Sequence, residues 1–516
     1  MTRKPPRIVT PPFAIISLFI LIAHASCSKS DSADTGNGTT GGTSVSIDST
    51  GIVAGTAEGS TAAGADPDDL AENSVFSKTV TIQFGSTINV SNPLDGSGVT
   101  ITTTNDDVVI TATVAEVEYI LSGSSSNGSV KIYSDKKFKL TLNDLSLTNT
   151  DGPAINIQSS KRAFIVLADN SSNSLTDGAS YTAAVNDEDM KGTIFSEGQL
   201  IFSGAGTLAV KGNYKHAICS DDYIRVRSGT ITITGAVTDG IHSNDAFIAD
   251  GGSLSITAAS DGIECEEGYI IINDGIFVIQ AGDDGIAASY EDGDPGITPY
   301  VTINGGTIQI ESSAGEGIES KSELTINNGH ISTVTADDGL NAGTAIYING
   351  GRVYSYSTGN DAMDSNGIFT ITGGKIVAIG ARAPEAGIDC DARTLKITGG
   401  QLVAIGGATS GPTASVSTVP SLIRGAGTAG ELIHIRAADG TEALTFLAPV
   451  GYSTMLVAGS KLKSNITYTI YTGGTVANSI QFNGLYTGGT YTPGTSGTSF
   501  TTSSLVTQIG GSISRG

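Results

Sequence analysis

Asp239-Gly240-Ile241, Asp261-Gly262-Ile263 and Asp284-Gly285-Ile286 begin a series of acidic turns that decides the fold of this chain. Later members allow glutamate for aspartate and alanine for glycine, as in Glu316-Gly317-Ile318, Asp338-Gly339-Leu340 and Asp361-Ala362-Met363. Most neighbouring members are 22 or 23 residues apart, and a period of that size is typical of solenoid proteins. The series therefore predicts a coiled repeat that stacks one carboxylate above another.

The segments between the acidic turns have the composition of short β-strands. Residues 300–303 and 307–310 alternate in hydrophobicity, and the turn residues 304–306 separate them. This alternation is typical of half-buried strands, and the 68 glycines suit tight turns because glycine adopts positive φ without steric cost. The signature of leucine-rich repeats is missing. We therefore predict an all-β fold, a parallel β-helix in preference to a β-sandwich.

The regular repeat does not fill the chain, and this divides the chain into segments. We predict N-terminal β-strands or first rungs over residues 71–150 and the parallel β-helix over 151–420. Over residues 421–516, where the acidic turn disappears, we predict a C-terminal β cap. A cap is needed because the last turn of a solenoid would otherwise expose unpaired backbone groups.

The beginning of the chain is typical of an export signal. Basic residues precede the apolar run 13–23, and Cys27 follows small residues. We predict a lipoprotein signal peptide over residues 1–27, with Cys27 lipidated and the protein anchored at the bacterial outer membrane or cell surface; ordinary cleavage near Ala25 is the alternative. Residues 28–70 are rich in Ser, Thr and Gly, and we predict a flexible tether.

The charge and the cysteines limit the partners. A net charge of −24 argues against nucleic acid, which requires a basic surface. Cys219, Cys265 and Cys390 each follow an isoleucine of the repeat by one or two residues. We expect them to be buried thiols, with no disulfide and no zinc. We expect the protein to be a monomer.

Equivalent residues of successive turns should form columns, because neighbouring strands lie about 4.8 Å apart. Two carboxylates about 5 Å apart repel by about 3 kcal/mol at an effective dielectric constant of about 20. Folding explains the glycine and isoleucine of the turn but not the acid, so we expect bound cations; a solvated acidic edge is the alternative. The first column comprises Asp239, Asp261, Asp284, Glu316, Asp338 and Asp361, and the second comprises His242, Glu264, Ala287, Glu319, Asn341, Asp364 and Asp389.

Calcium is the cation that these donors favour. Carboxylate and amide oxygens suit Ca²⁺, which takes about six to eight oxygen ligands, and we expect several ions. One candidate site, the weaker of two, comprises Asp239, Asp261 and Glu264, with Asp284 beside them. Glu316 continues the same column of acids. The best candidate spans two turns and comprises Asp337, Asp338, Asn341, Asn360, Asp361 and Asp364.

Further motifs occur at Ser134–Leu140, Gly152–Ile157, Lys211–His216, Cys219–Asp222, Tyr468–Gly474 and Phe482–Gly489. Together with the Asp-Gly-Ile repeats, they resemble the secreted bacterial carbohydrate-binding domain-containing proteins over nearly all of residues 75–516. The resemblance implies a right-handed parallel β-helix similar to the pectate lyases of polysaccharide lyase family 9. It also implies calcium ions along one edge and binding of plant-type polysaccharides, including acidic ones.

Lyase chemistry is less well supported than calcium binding. The lyase relatives place an Asp-Asp-Gly-x-Asp pattern at their calcium, and residues 337–341 and 360–364 depart from it at one or two positions. A pectate lyase also needs a basic side chain as its base. Lys321 is the nearest to the columns, although a solvent-facing lysine is the commoner case. A glycosidase mechanism with two paired carboxylates is a further open alternative, because a stack of acids supplies pairs at every separation.

Tyrosines must supply any aromatic surface for sugars, because the chain has no tryptophan. Tyr354 and Tyr356 share one face of a strand, and Tyr290 and Tyr300 border the longest insertion between turns. These four are the predicted carbohydrate contacts. Tyr354 and Tyr356 could equally be packed under the C-terminal segment.

The predicted function is polysaccharide binding at the cell surface on a calcium-bearing β-helix, without catalysis. Membrane contact is expected through the N-terminal lipid only. The enzymatic alternative is a calcium-dependent polyuronate lyase acting by β-elimination. The third possibility is a structural or adhesin β-helix in which calcium only stabilises the stack.

Overall fold

The computed structural model describes residues 43–290 and 296–514, and it confirms the predicted all-β parallel β-helix. Each regular turn of the coil contributes one short strand to each of three sheets. The helices in the described residues are the 3-10 turns Pro67–Asp69, Ala71–Asn73 and Val185–Asp187. None of them is long and apolar enough to cross a membrane. The predicted signal peptide with Cys27 lies outside the described residues.

The first sheet runs the length of the coil and buries most of its side chains. In Tyr269–Ile272, only the tyrosine is partly exposed. Pairing between successive turns is parallel, and Asn89–Ser91 adds an antiparallel strand at the start. The other strands are Lys78–Phe84, Val117–Ser125, Phe138–Thr148, Ala163–Leu167, Leu200–Gly204, Tyr223–Val226, Ala246–Ala249, Tyr269–Ile272, Tyr300–Ile303, Glu323–Ile326, Ala345–Ile348, Ile368–Ile371 and Leu395–Ile397.

The second sheet has one face in the core and one face outward. Ile276–Ala281 buries every second side chain, as the sequence alternation predicts. The sheet is closed at its end by Thr454–Gly459, which pairs antiparallel with the last turn, and by Ser421–Arg424 and Val506–Gln508. Its regular strands are Ser172–Thr176, Thr207–Lys211, Thr230–Gly235, Ser253–Thr257, Ile276–Ala281, Thr307–Ser312, His330–Thr335, Arg352–Ser357, Lys375–Ile379 and Gln401–Gly406.

The third sheet has 13 strands, and most of them are only three residues long. It follows the acidic turns, so it carries the residues of the second column. Its strands are Val99–Thr104, Asp107–Ala112, Ser129–Ser134, Ile155–Ile157, Gly192–Ser196, His216–Ser220, Ile241–Ser243, Ile263–Cys265, Ile286–Ala288, Ile318–Ser320, Leu340–Ala342, Met363–Ser365 and Asp389–Cys390.

The core explains the glycine and the isoleucine of the acidic turn. Ile241, Ile263 and Ile286 are completely buried and stack from turn to turn. A Cβ at Gly262 would lie 2.3 Å from a methyl carbon of Ile279 and 2.5 Å from the carbonyl oxygen of the glycine one turn on. Glycine is therefore required by close packing between turns. Cys219, Cys265 and Cys390 are buried, as expected from their positions beside the core isoleucines.

A seven-stranded sheet covers the end of the coil. Its residues Ile433, Leu444 and Phe446 pack in one cluster with Val403 and Ile405 of the last regular turn. The cap therefore shields an end that would otherwise expose apolar surface. Its strands are Val45–Ser46, Leu432–Ala437, Glu442–Leu447, Thr467–Ala477, Ile480–Phe482, Leu485–Thr487 and Thr490–Thr501.

Residues 43–74 form an extended segment, here called the strap, that lies along the first sheet. The strap begins at the cap, where Val45–Ser46 pairs with Thr490–Thr501. It runs back toward the first turns, where Glu72 pairs with Arg227 at 2.9 Å. The sequence predicts a flexible tether up to residue 70. In the structure, residues 43–70 are instead held by hydrogen bonds and ion pairs to the cap and the coil.

A ladder of asparagines holds the strap. Asn273, Asn304, Asn327 and Asn349 stand where the first sheet turns into the second. Each donates its side-chain amide to a side-chain oxygen one turn earlier, at 2.8 to 2.9 Å. Each also donates to a carbonyl of the strap, at 2.7 to 2.9 Å. Backbone carbonyls of the strap thus have hydrogen-bond partners on the coil. The composition of the strap alone does not reveal these partners.

Candidate metal and carbohydrate sites

The acidic turns line one corner of the coil, here called the acidic corner, where the second sheet turns into the third. Strand pairing places the second column in the predicted register: His242 pairs with Glu264, and Asp364 pairs with Asp389. The same register extends the first column by one turn, because His216 stands two residues before Ile218, the partner of Ile241. The first column therefore begins with a histidine.

Most first-column acids accept a hydrogen bond from a backbone N–H one turn further on. The backbone N–H of Asp261 donates to Asp239 Oδ1 at 3.2 Å, and that of Asp284 donates to Asp261 Oδ1 at 2.8 Å. The same contact joins Glu316 to Asp284 at 2.7 Å, and Asp361 to Asp338 at 2.9 Å. The carboxylates thus satisfy amides of the turns. This corrects the expectation that folding does not require the acid.

Burial makes these acids hard to ionise. Burial and the neighbouring carboxylates raise the pKa of Asp261 to about 8, of Asp338 to about 7 and of Asp361 to about 8. Asp284 lies against Glu316, and burial, followed by the contact with Glu316, raises the pKa of Asp284. Near neutral pH the acidic corner must therefore keep protons or bind cations.

The last turns bring three carboxylates together. Asp361, Asp364 and Asp389 each offer an oxygen within 4.8 Å of the others. Asp364 Oδ1 is buried and has no hydrogen-bond partner among the described residues. Burial and the charge of Asp389 raise the pKa of Asp364 to about 6. This oxygen-only donor set fits Ca²⁺.

The predicted two-turn calcium constellation is arranged differently. The amide nitrogen of Asn341 donates to Asp338 Oδ2 at 3.0 Å, and that of Asn360 donates to Asp337 Oδ1 at 2.6 Å. Both asparagines therefore present donors rather than ligand oxygens to these carboxylates. The structure instead joins Asp361 and Asp364 to Asp389, which is one turn further on.

Two histidines stand at the opposite end of the acidic corner, beside the second predicted calcium constellation. The rings of His216 and His242 stack with centroids 4.2 Å apart. Their Nδ1 atoms lie 2.9 Å and 3.1 Å from Asp239 Oδ2, and His242 Nδ1 also lies 3.1 Å from Glu264 Oε2. Asp239, Asp261 and Glu264 do converge as predicted. The sequence signal for His216 was its distance of 23 residues from Asp239.

Electrostatics differ between the two histidines. Burial lowers the pKa of His216 to about 4. Burial also opposes the charge of His242, but its hydrogen bonds to Asp239, Glu264 and Glu266 outweigh that effect and raise its pKa to about 11. In spite of burial, the two histidines hold the pKa of Asp239 below its usual range.

The four predicted carbohydrate tyrosines do not form one surface. Tyr354 and Tyr356 pack against the core of the cap, which was the alternative considered for them. Tyr300 stacks on Tyr269 at 5.0 Å and packs in the cluster that includes Ala62 of the strap. Tyr290 is exposed.

A different tyrosine pair provides an accessible aromatic surface. Tyr181 and Tyr214 stack with centroids 4.1 Å apart, and Tyr214 is 44 % exposed. Tyr181 is fixed by its hydroxyl, which donates to Asp177 Oδ2 at 2.7 Å. Tyr214 stands two residues before His216, so the pair lies at the start of the acidic corner. The sequence could not pair these tyrosines, because Tyr181 belongs to an irregular loop.

Lys321, the candidate base of a lyase, is engaged by its neighbour. Its ammonium forms an ion pair with Glu319 in the second column. Although partial burial disfavours the charge, the contact with Glu319 raises the pKa of Lys321. A lysine held protonated in this way is a poor proton acceptor.

Comparisons with known proteins give two matches. The sequence model of a family described as carbohydrate-binding domain-containing protein matches residues 104–362, half of the chain. Among solved structures, the polysaccharide lyase-like protein from C. thermocellum, solved as a gadolinium derivative, is similar. It is 23% identical with a TM-score of 0.40, and the match covers 57% of this chain and 96% of that chain. No curated protein matches the chain.

Proposed function

Because the chain belongs to the family of carbohydrate-binding domain-containing proteins, we propose that it binds polysaccharide at the start of its acidic corner, without cleaving it. Acidic, plant-type polysaccharides are the proposed ligands. We further propose that a lipid on Cys27 holds the protein at the bacterial surface.

The stacked pair Tyr181–Tyr214 carries the carbohydrate proposal. One face of the Tyr214 ring is covered by Tyr181, which holds the ring in place. A sugar that stacks on the other face therefore loses little binding free energy to the ordering of protein side chains. The Tyr214 hydroxyl adds a polar contact for the hydroxyls of the sugar. In the described residues, this is the aromatic stack that combines a strongly exposed ring with a place on the acidic corner.

The charges around Tyr214 favour an acidic sugar. Lys211 and Lys215 are exposed and flank Tyr214 in the same turn. The whole chain carries −24 and repels a polyanion at long range. A local pair of lysines offsets that repulsion where the sugar ring would stack.

Replacing Tyr214 with alanine is expected to weaken binding of polygalacturonate about tenfold, because the stacking surface is lost. Affinity electrophoresis of the full chain in gels with polygalacturonate or neutral xylan measures the effect, with and without Ca²⁺. Tyr290→Ala is the matched control, since it also removes an exposed tyrosine. Weakened binding by Tyr290→Ala and unchanged binding by Tyr214→Ala would contradict the site.

We also propose that Asp361, Asp364 and Asp389 hold a calcium ion. Three carboxylates supply up to six oxygens, and the buried oxygen of Asp364 lacks any other partner in the described residues. Asp389 is positioned by Ser410 and Ser514, whose hydroxyls donate to its Oδ1 at 2.9 and 2.6 Å. The ion would neutralise carboxylates of successive turns and so fasten the end of the coil.

Replacing Asp364 with asparagine is expected to weaken Ca²⁺ binding by tenfold or more, because a charged ligand is lost. Titration calorimetry on protein freed of metal by a chelator measures the affinity. Wild type should also melt at a higher temperature in Ca²⁺, as expected of a ligand that binds only the folded state. Asp391→Asn, a change of an exposed acid nearby whose charge acts on Asp364 only at a distance, should change both results much less. Equal losses in the two variants would refute the assignment.

The lyase alternative has a direct assay. An unsaturated uronate released from polygalacturonate absorbs ultraviolet light, and its appearance would contradict the proposed absence of cleavage. Lys321→Ala would then test the base, although the pairing of Lys321 with Glu319 argues against that role.

A further inference from the structure

The histidine end of the acidic corner has the geometry of a transition-metal site. A zinc ion with ligands at about 2.0 to 2.2 Å in a tetrahedron separates its donor atoms by about 3.3 Å. Asp239 Oδ2 lies 2.9 Å from His216 Nδ1 and 3.1 Å from His242 Nδ1. Glu264 Oε2 lies 3.1 Å from His242 Nδ1. These three separations are close to the edge length of such a tetrahedron, and His216, Asp239 and His242 offer donor atoms within 4.8 Å of one another.

The donor types select against calcium at this end. Two imidazole nitrogens with carboxylate oxygens suit Zn²⁺, Co²⁺ or Ni²⁺, whereas Ca²⁺ prefers oxygen alone. Only one oxygen of Asp239 faces the histidines; its Oδ1 accepts the N–H of Asp261 at 3.2 Å. The carboxylate is thus oriented by the backbone, with the other oxygen directed at both rings.

A third carboxylate stands behind His242, as in many zinc sites. Glu266 Oε2 lies 3.1 Å from His242 Nε2, and a metal-bound histidine commonly donates its other ring N–H to a carboxylate. His216 is fixed by Thr238, whose hydroxyl oxygen lies 2.9 Å from its Nδ1, and by the stack on His242. That hydroxyl would turn its hydrogen away from a metal-bound nitrogen.

We propose that His216, Asp239 and His242, with Glu264 as fourth ligand, bind a structural divalent ion of the zinc class. The three central residues are 2 %, 4 % and 6 % exposed, so the site is closed to a substrate and its role is to join neighbouring turns. Binding leaves both Nδ1 atoms unprotonated, and any proton they carried passes to solvent. The cysteines take no part in this site.

Cobalt is the appropriate probe, because its visible absorption reports ligand type and geometry. The full chain, made without a histidine tag and freed of metal by a chelator, is titrated with Co²⁺ and then Zn²⁺. The expected result is one equivalent of Co²⁺ with the strong visible bands of tetrahedral nitrogen and oxygen ligation, displaced by Zn²⁺. Absence of these bands in the wild-type protein would overturn the proposal and leave only an ion-paired histidine cluster.

Variants locate the site. His216→Gln and His242→Gln should each weaken Co²⁺ binding tenfold or more, whereas His330→Gln, a change of an exposed histidine, should have no effect. Asp364→Asn should leave the Co²⁺ bands intact, which separates this ion from calcium. If either cluster variant fails to fold, the wild-type spectrum still decides. Unchanged bands in both folded cluster variants would overturn the assignment to these residues.

Discussion

Replacing Asp69 with alanine is expected to lower the free energy of unfolding by about 3–5 kcal/mol, the usual cost of removing one partner from a buried ion pair. Asp69 belongs to the strap and is completely buried. Its Oδ1 lies 2.7 Å from Arg162 Nε, and its Oδ2 lies 3.1 Å from a guanidinium nitrogen of Arg225. Tyr223 donates to Oδ1 at 2.5 Å. Alanine would leave two guanidinium groups without this buried carboxylate.

Urea unfolding followed by circular dichroism measures the Asp69 effect. Glu72→Ala provides the control, because Glu72 is also an acid of the strap paired with an arginine, but 61% of its side chain is exposed. Exposed pairs contribute about 0 to 1 kcal/mol, so this variant should change stability little. Equal and small effects of the two changes would show that the strap is not fastened at Asp69.

Replacing Asp284 with asparagine is expected to stabilise the protein above neutral pH by about 2 kcal/mol, while leaving stability near pH 4 almost unchanged. Asp284 is buried beside Glu316, and burial and this contact raise its pKa. Asparagine keeps the oxygen that accepts the N–H of Glu316. The asparagine amide also supplies an N–H donor in place of the O–H of the protonated aspartate.

The direction of the pH effect follows from the raised pKa. In the unfolded chain the Asp284 carboxyl ionises at about pH 4, but in the folded chain it keeps its proton to a higher pH. The stability it contributes is therefore complete below about pH 4 and is lost as pH rises toward the folded pKa. Asparagine does not titrate, so the variant escapes this loss.

Urea unfolding at several pH values between 4 and 8, in the presence of a chelator, measures the Asp284 effect. Asp283→Asn changes the exposed neighbouring acid and serves as the control. If Asp284→Asn destabilised the protein equally at all pH values, the Asp284 carboxyl would not keep a proton beside Glu316 in the folded chain.

The sequence predicts the coil well, because the chemistry of the acidic turn repeats. The spacing from Asp239 to Asp261 sets the register of the third sheet, and Ile241 and Ile263 fill the core as expected. The role of the acid was less predictable. A carboxylate that accepts a backbone N–H one turn away looks, in sequence, the same as one that binds a cation.

The proposed sites were predicted only in part, since several of their residues depart from the repeat. His216 occupies a first-column position but lacks the Asp-Gly-Ile pattern that marks the others. Tyr181 lies in a loop with no counterpart on other turns, so its stack with Tyr214 had no periodic signal. The position of the strap could not be predicted for another reason. Glu58 contacts Asn349, which is 291 residues later, and the local composition of a segment does not reveal contacts at such a separation.

The strap also constrains the order in which the molecule can assemble. Its residues are synthesised before any turn of the coil, yet its hydrogen-bond partners extend from Arg162 to Gly400 on the coil and on to Tyr491 in the cap. A coil can grow by adding neighbouring turns, each closing a short loop, whereas the strap must close loops of hundreds of residues. We therefore expect the first part of the described chain to be made to be the last to reach its final position. Until then, each asparagine of the ladder has one amide N–H without its carbonyl partner from the strap. Another extended chain that reaches the ladder can accept these hydrogen bonds in place of the strap.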